Sequence, residues 1–178
     1  MVNAGKQFES DFRYSIPKTK GYLLQRFNDS SQSYQKCKDV KFTPKNPCDF
    51  ILFDTSKKIL YFLELKSTKY KAITFEDVNY NGEQNKMVHK HQIKALTKFS
   101  DYANVVGAFL FNFRDEDNNM ERTYYQDIKD FNRMCKDINK QSFNEVDLLL
   151  HKAIKISGVK KRIHYIWDIE NLLDKLEV

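Results

Sequence analysis

Hydrophobic and polar residues follow one another along this chain in blocks short enough to assign singly. In residues 4–14, Phe8 and Phe12 stand four apart on one face. The segment therefore reads as a short amphipathic helix that Asn3 can cap and Pro17 stops. Residues 22–27 have the apolar content of a strand. Residues 28–46 are polar and irregular, with DSSQS as the clearest loop signal. Two apolar runs follow, CDFILF (residues 48–53) and ILYFLELK (residues 59–66), and the five residues DTSKK between them predict a hairpin turn. Both runs carry apolar residues at odd and even positions, which predicts central strands covered on both faces.

Residues 85–102 have helical periodicity, with Val88, Gln92, Ala95, Leu96 and Phe99 on one stripe. VVGAFLFNF (residues 105–113) is a further buried strand. RDEDNNMER is a charged turn, and residues 123–125 are a short partner strand. Helical patterns cover residues 128–138 and 143–152. Residues 162–167 read as a late strand and 169–176 as a closing helix. No repeat, low-complexity tract or Gly/Ser linker divides the chain. The expectation is a single α/β domain over residues 1–178, a mixed β-sheet core flanked by helices on both faces.

A chain of 178 residues buries roughly 70% of its unfolded surface and needs no staples to hold a core. Its 41% hydrophobic and 14% aromatic content excludes a disordered chain. No apolar run approaches the roughly 18 residues of a membrane span, and the N-terminus has no signal-peptide core. The expected setting is cytoplasmic, without a membrane partner. Cys37, Cys48 and Cys135 are an odd set without C-x-x-C spacing, which argues against a disulfide framework and a structural zinc site. The net charge of +6 points mildly to a polyanionic partner. Plain soluble basic proteins share such an excess, and an AT-rich coding bias explains part of the lysine count, so charge is only a prior.

The chemistry concentrates in the most apolar strand. Glu64 and Lys66 sit inside it, where ionised groups are costly unless partnered, and their spacing of two puts them on one face. Asp49 opens the preceding strand and can lie beside Glu64 across the ladder. Carboxylates brought together repel unless a cation sits between them, and a small oxygen set suits Mg²⁺. Lys66 then orients or deprotonates an attacking water or stabilises charge developing on a phosphate. The plain alternative is a structural Glu64–Lys66 ion pair with Asp49 as a turn residue. Gln92 places an amide on the apolar stripe of its helix, either as an active-site group or as a stripe-edge residue bonded to backbone.

Asp49, fourteen residues, then Glu64-Leu65-Lys66 is similar to the motif of the PD-(D/E)XK nucleases. GKQFES (residues 5–10) resembles that family's first-helix signature. KMVHKHQIKAL (residues 86–96), SFN at residues 142–144 and IHYIWDIENLL (residues 163–173) resemble RecU-type Holliday junction resolvases. The resemblance implies a restriction-endonuclease-like fold, a homodimer, and Mg²⁺-dependent cutting of branched DNA at four-way junctions in a bacterial or phage-infected cell, with Mn²⁺ able to substitute. It implies Asp49 and Glu64 as metal ligands, the Leu65 carbonyl as a third, and Glu9 as an outer or second ligand. Lys66 becomes the catalytic lysine and Gln92 its helper. Two departures stand out: Cys48 precedes Asp49, which moves the family's proline to Pro47, and residues 28–46 are short for the family's projecting stalk. The competing expectations are another nuclease of this fold that cuts linear duplex, and a non-catalytic DNA-binding recombination protein.

Lys69, Lys71, Lys90 and Lys94 are the expected DNA-backbone contacts. His89 and His91, two apart on a predicted helix, diverge by about 200° and cannot chelate one metal together. Lys160, Lys161 and Arg162 read as a basic surface loop.

Overall fold

The computed structural model describes residues 4–19, 21–27, 46–80, 84–118 and 120–176. The expected Asn3 cap, Cys37 and the polar stretch 28–45 lie outside those residues. The elements, in chain order, are α1 Ala4–Ser15, β1 Tyr22–Arg26, β2 Phe50–Asp54, β3 Ile59–Thr68, β4 Ile73–Thr74, α2 Lys90–Phe99, β5 Val105–Asp115, β6 Met120–Asp127, α3 Ile128–Asp137, β7 Ser142–Phe143, α4 Glu145–Leu150, β8 Ile154–Ile156, β9 Gly158–Lys160, β10 Tyr165–Trp167 and α5 Ile169–Lys175.

Six strands form one mixed sheet in the order β1-β2-β3-β5-β6-β8. β3 and β5 run parallel, and every other neighbouring pair is antiparallel. The parallel step is what the long connection through α2 makes possible, since a tight turn joins only antiparallel neighbours. Two short ribbons, β4 with β7 and β9 with β10, stand beside the sheet. The fold is thus the mixed α/β architecture that the apolar pattern predicts.

Alternation along the central strands divides the interior into two cores. Tyr61, Leu63 and Leu65 of β3 face Phe8 and Phe12 of α1 and Leu172 and Leu173 of α5. On the opposite face Phe109, Phe111 and Phe113 of β5 meet Ile93 and Leu96 of α2, Phe131 and Met134 of α3, and Leu148 of α4. α2 lies close against β5 because Gly107 leaves room for it. A Cβ at Gly107 would stand 2.6 Å from the Leu96 carbonyl oxygen and 2.9 Å from Ser100 Oγ.

Several boundaries differ from expectation, each for a local reason. The predicted 85–102 helix is confined to Lys90–Phe99, because Val88 is buried in a parallel bridge to Phe75 and not on a helical turn. The 143–152 pattern splits. Phe143 pairs with Ile73, and α4 starts only after Asn144, whose Oδ1 accepts the Val146 and Asp147 N–H groups. The predicted partner strand 123–125 grows to the eight residues of β6, taking in part of the charged turn. The late strand shrinks to Tyr165–Trp167, and the 48–53 run pairs as a strand only from Phe50.

Gly107→Ala drives a methyl into the α2 backbone and should destabilise the fold by roughly 1–3 kcal/mol, as overpacking does. Urea unfolding reads this directly, and an unchanged midpoint would contradict the packing described.

Candidate active site

The site begins where a ladder stops. β2 pairs with β3 up to Phe50, opposite Leu63. Asp49 extends that contact by one residue, its N–H donating to the Leu63 carbonyl at 3.1 Å while its own carbonyl accepts the Phe27 N–H at 2.9 Å. The next N–H on this flank of β3, that of Leu65, has no β2 residue to meet. It donates to Asp49 Oδ2 at 2.7 Å. A side-chain oxygen thereby replaces a strand. The Leu65 carbonyl points to the same flank, past the end of the β2 ladder, because N–H and C=O of one strand residue share a side.

The even residues of β3 face α2. Glu64 is 3% exposed, and its Oε1 lies 2.8 Å from Lys66 Nζ. Gln92, buried on the inner face of α2, donates its amide to that same oxygen. Its Oε1 accepts the His89 N–H at 3.0 Å. Asp49, Glu64, Lys66 and Gln92 therefore converge where the β2–β3 ladder ends. The Glu64–Lys66 ion pair is present, and Gln92 both bonds backbone through its oxygen and reaches Glu64 through its NH₂.

Charge is unbalanced at this spot. Burial pushes the Asp49 carboxyl up to about 6, and Glu9 adds to the rise, while the Leu65 N–H and the Lys66 and Arg26 charges oppose it. Burial, then the Asp49 charge, push Glu64 up to about 7 against the pull of Lys66. Two carboxylates whose proton affinity is raised by burial and by neighbouring carboxylates form a locus where a nearby positive charge would be stabilising.

No family model matches the chain. It is similar to the SPbeta prophage-derived uncharacterized protein YotM of Bacillus subtilis (strain 168), with 28% identity over 185 residues. That alignment covers 98% of this chain and 87% of YotM. The likeness thus spans the whole fold, and the relative's name places it in a prophage without giving it an activity. No helix among the described residues is long and apolar enough to cross a membrane.

The remaining expected residues fall around this centre unevenly. Glu9 is held by Arg26, Oε2 to Nε at 2.7 Å. Arg26 follows Tyr22 and Leu24, which pack on the α1 side of the sheet. The charge of Glu9 raises both the Asp49 and the Glu64 carboxyl. Among the described residues no group of three or more His, Cys, Asp or Glu stands ready to hold a metal. The oxygens that would be available to an ion here are those of two carboxylates and the Leu65 carbonyl. Such a set fits Mg²⁺, which takes one or two carboxylates and completes its shell with water and phosphate oxygens.

Lys69 and Lys71 line one cavity together with Tyr70, whereas Lys94 lines another with Lys98. Lys90 reaches the Tyr80 carbonyl at 3.3 Å. The four lysines thus border two separate cavities and the Tyr80 loop. The divergence expected of His89 and His91 is overturned. His89 is the extended residue before α2, with φ −91° and ψ 144°, and its ring stacks on His91 with centroids 5.5 Å apart. Sequence reading also passed over Arg26 and Glu76. Arg26 ends a strand that is otherwise read only for its apolar content. Glu76 gives the stronger clue, a carboxylate directly after the buried Ile73 and Phe75.

Because both folded-state values lie above the ordinary carboxylate range, the folded chain binds more protons than the unfolded one between about pH 4 and 7. Stability supplied by the neutral forms is present at low pH and lost as pH rises through that window. Asp49→Asn removes one charge and keeps an acceptor for Leu65. In EDTA it should gain on the wild type by on the order of 1–3 kcal/mol between pH 4 and pH 8. Denaturant unfolding across pH measures the gain, and a variant that falls behind as pH rises would contradict the electrostatic picture.

Proposed function

We propose that this chain is a metal-dependent DNA endonuclease of the PD-(D/E)XK type, acting as a homodimer on four-way junctions by paired symmetric nicks. The observation that carries the reading is the meeting of Asp49, Glu64, Lys66 and Gln92 at the end of the β2–β3 ladder. Asp49, Glu64 and the Leu65 carbonyl would hold Mg²⁺, or Mn²⁺ in its place. The ion, when bound, supplies an activated water and neutralises phosphate charge.

The chain's own groups have separable tasks. Lys66 spends one of its three N–H donors on Glu64, which leaves the others for a water or a phosphate oxygen. Its fixed positive charge sits where negative charge would develop on a phosphate under attack. Gln92 fixes the orientation of Glu64 without adding charge. Asp49 is tied to Leu65 through Oδ2, so Oδ1 would be the oxygen that meets the ion.

The junction and the dimer rest on the sequence resemblance and on symmetry. Resolving a four-way junction requires two related cuts, and a two-fold dimer presents two sites at once. Likeness to a prophage protein agrees with a phage setting, in the cytoplasm of a bacterial host.

Cleavage of a synthetic four-way junction and of linear duplex, each with Mg²⁺ and with EDTA, tests the reading. The junction should be cut and the EDTA lanes should be blank. Asp49→Asn and Glu64→Gln should abolish cutting while binding persists, and Lys66→Ala should slow it by about 10²-fold or more. Wild-type-like cutting by Asp49→Asn would reject the site, and equal rates on linear duplex would reject the junction. Mixed dimers carrying one Glu64→Gln subunit should nick one strand and fail to resolve, whereas a monomer that cuts both strands would reject the dimer.

A further inference from the structure

A primary amide presents an oxygen and an NH₂ group of nearly the same shape. Which end of Gln92 faces Glu64 therefore depends on what holds the other end. Here the Gln92 oxygen accepts the His89 N–H, so the NH₂ is turned towards Glu64. The His89 peptide sits just outside α2, at a point where the first N–H groups have no partner within the helix. Something else must fix it.

That something is Glu76, thirteen residues upstream in sequence and 7% exposed. Its Oε2 accepts the Lys90 N–H at 2.7 Å, and its Oε1 lies 3.0 Å from His89 Nδ1. Its own N–H donates to the Val88 carbonyl at 2.9 Å, next to the Phe75–Val88 bridge. One residue thus grips the chain at 88, 89 and 90, immediately before the turn that carries Gln92. The His89 N–H is the group that Gln92 Oε1 accepts, while the His89 ring meets Glu76 Oε1 and stacks on the His91 ring.

Resting on the reading of Glu64 and Gln92 as site residues, we propose that Glu76 is a positioning residue: by clamping the first turn of α2 it sets the direction of the Gln92 amide and, through it, of the Glu64 carboxylate. Glu76 touches neither Glu64 nor a reacting atom. Its influence runs through the His89 peptide and ends at Glu64 Oε1.

Two readouts separate this role from simple support of the fold. In ¹⁵N-labelled protein the Gln92 side-chain amide pair is identified by its absence from Gln92→Ala. Glu76→Ala should move that pair to the positions of exposed glutamines, and Glu76→Gln, whose amide oxygen can still accept the Lys90 N–H, should leave it near its wild-type position. On junction DNA, Glu76→Ala should lower kcat by the same factor as Gln92→Ala, about 10- to 100-fold, with KM unchanged. The double variant should be no slower than Gln92→Ala alone, because both changes remove one device. Multiplicative losses, or a Gln92 pair unmoved by Glu76→Ala, would overturn the proposal. Should Glu76→Ala fail to fold, Glu76→Asp, one methylene short of the Lys90 N–H, is measured in the same two ways. A wild-type protein that cuts no DNA would remove the nuclease reading, and the amide resonances would still decide the positioning role.

Discussion

The N–H of Leu65 needs an acceptor at the point where β2 has run out, and the Asp49 carboxylate is the acceptor it finds. Much follows from that one bond. It brings the Asp49 carboxyl up beside Glu64, and it leaves the Leu65 carbonyl on an open flank. The two cores on either side of the sheet make the arrangement rigid, since β3 is buried from Ile59 through Leu65 at every odd position. The sheet therefore enforces a proximity that the carboxylates by themselves would avoid.

Neutralisation is partial. Lys66 and Gln92 both serve Glu64 Oε1, and Arg26 serves Glu9. Three carboxylates, Asp49, Glu64 and Glu9, thus face two cations, Lys66 and Arg26. A purely structural cluster gains nothing from keeping the excess, because an unpaired buried carboxylate costs free energy that Asn or Gln would not. A site that receives a divalent cation and a phosphate needs that excess.

Asp49, Glu64 and Lys66 were legible in the sequence because charge inside an apolar strand is conspicuous and a period of two decides which face it shares. Gln92 was legible for a similar reason, an amide on an apolar helical stripe. The strand order became visible only with the parallel β3–β5 contact, which no local pattern encodes. Val88 misled: its place on the stripe extended the helix, yet its burial comes from a bridge to Phe75. Phe143 misled likewise, because its pairing with Ile73 joins segments far apart in sequence. Glu76 and Arg26 act on residues 13 and 17 positions away, so no spacing marks their partners, and only the apolar residues before Glu76 set it apart. His89 stood hidden behind the helix boundary, which turned a divergent pair into a stacked one.

The central claim is that the Asp49–Glu64 pair is a cation site, and ion binding tests it without reference to any substrate. Mn²⁺ titrated into the free protein, followed by loss of the free-ion electron paramagnetic resonance signal, reports occupancy directly. The account predicts saturable binding of about one ion per chain, weakened at least tenfold by Asp49→Asn and by Glu64→Gln, in keeping with loss of one of two charged ligands. Binding of equal strength in the wild type and both variants, or none in the wild type, would contradict it.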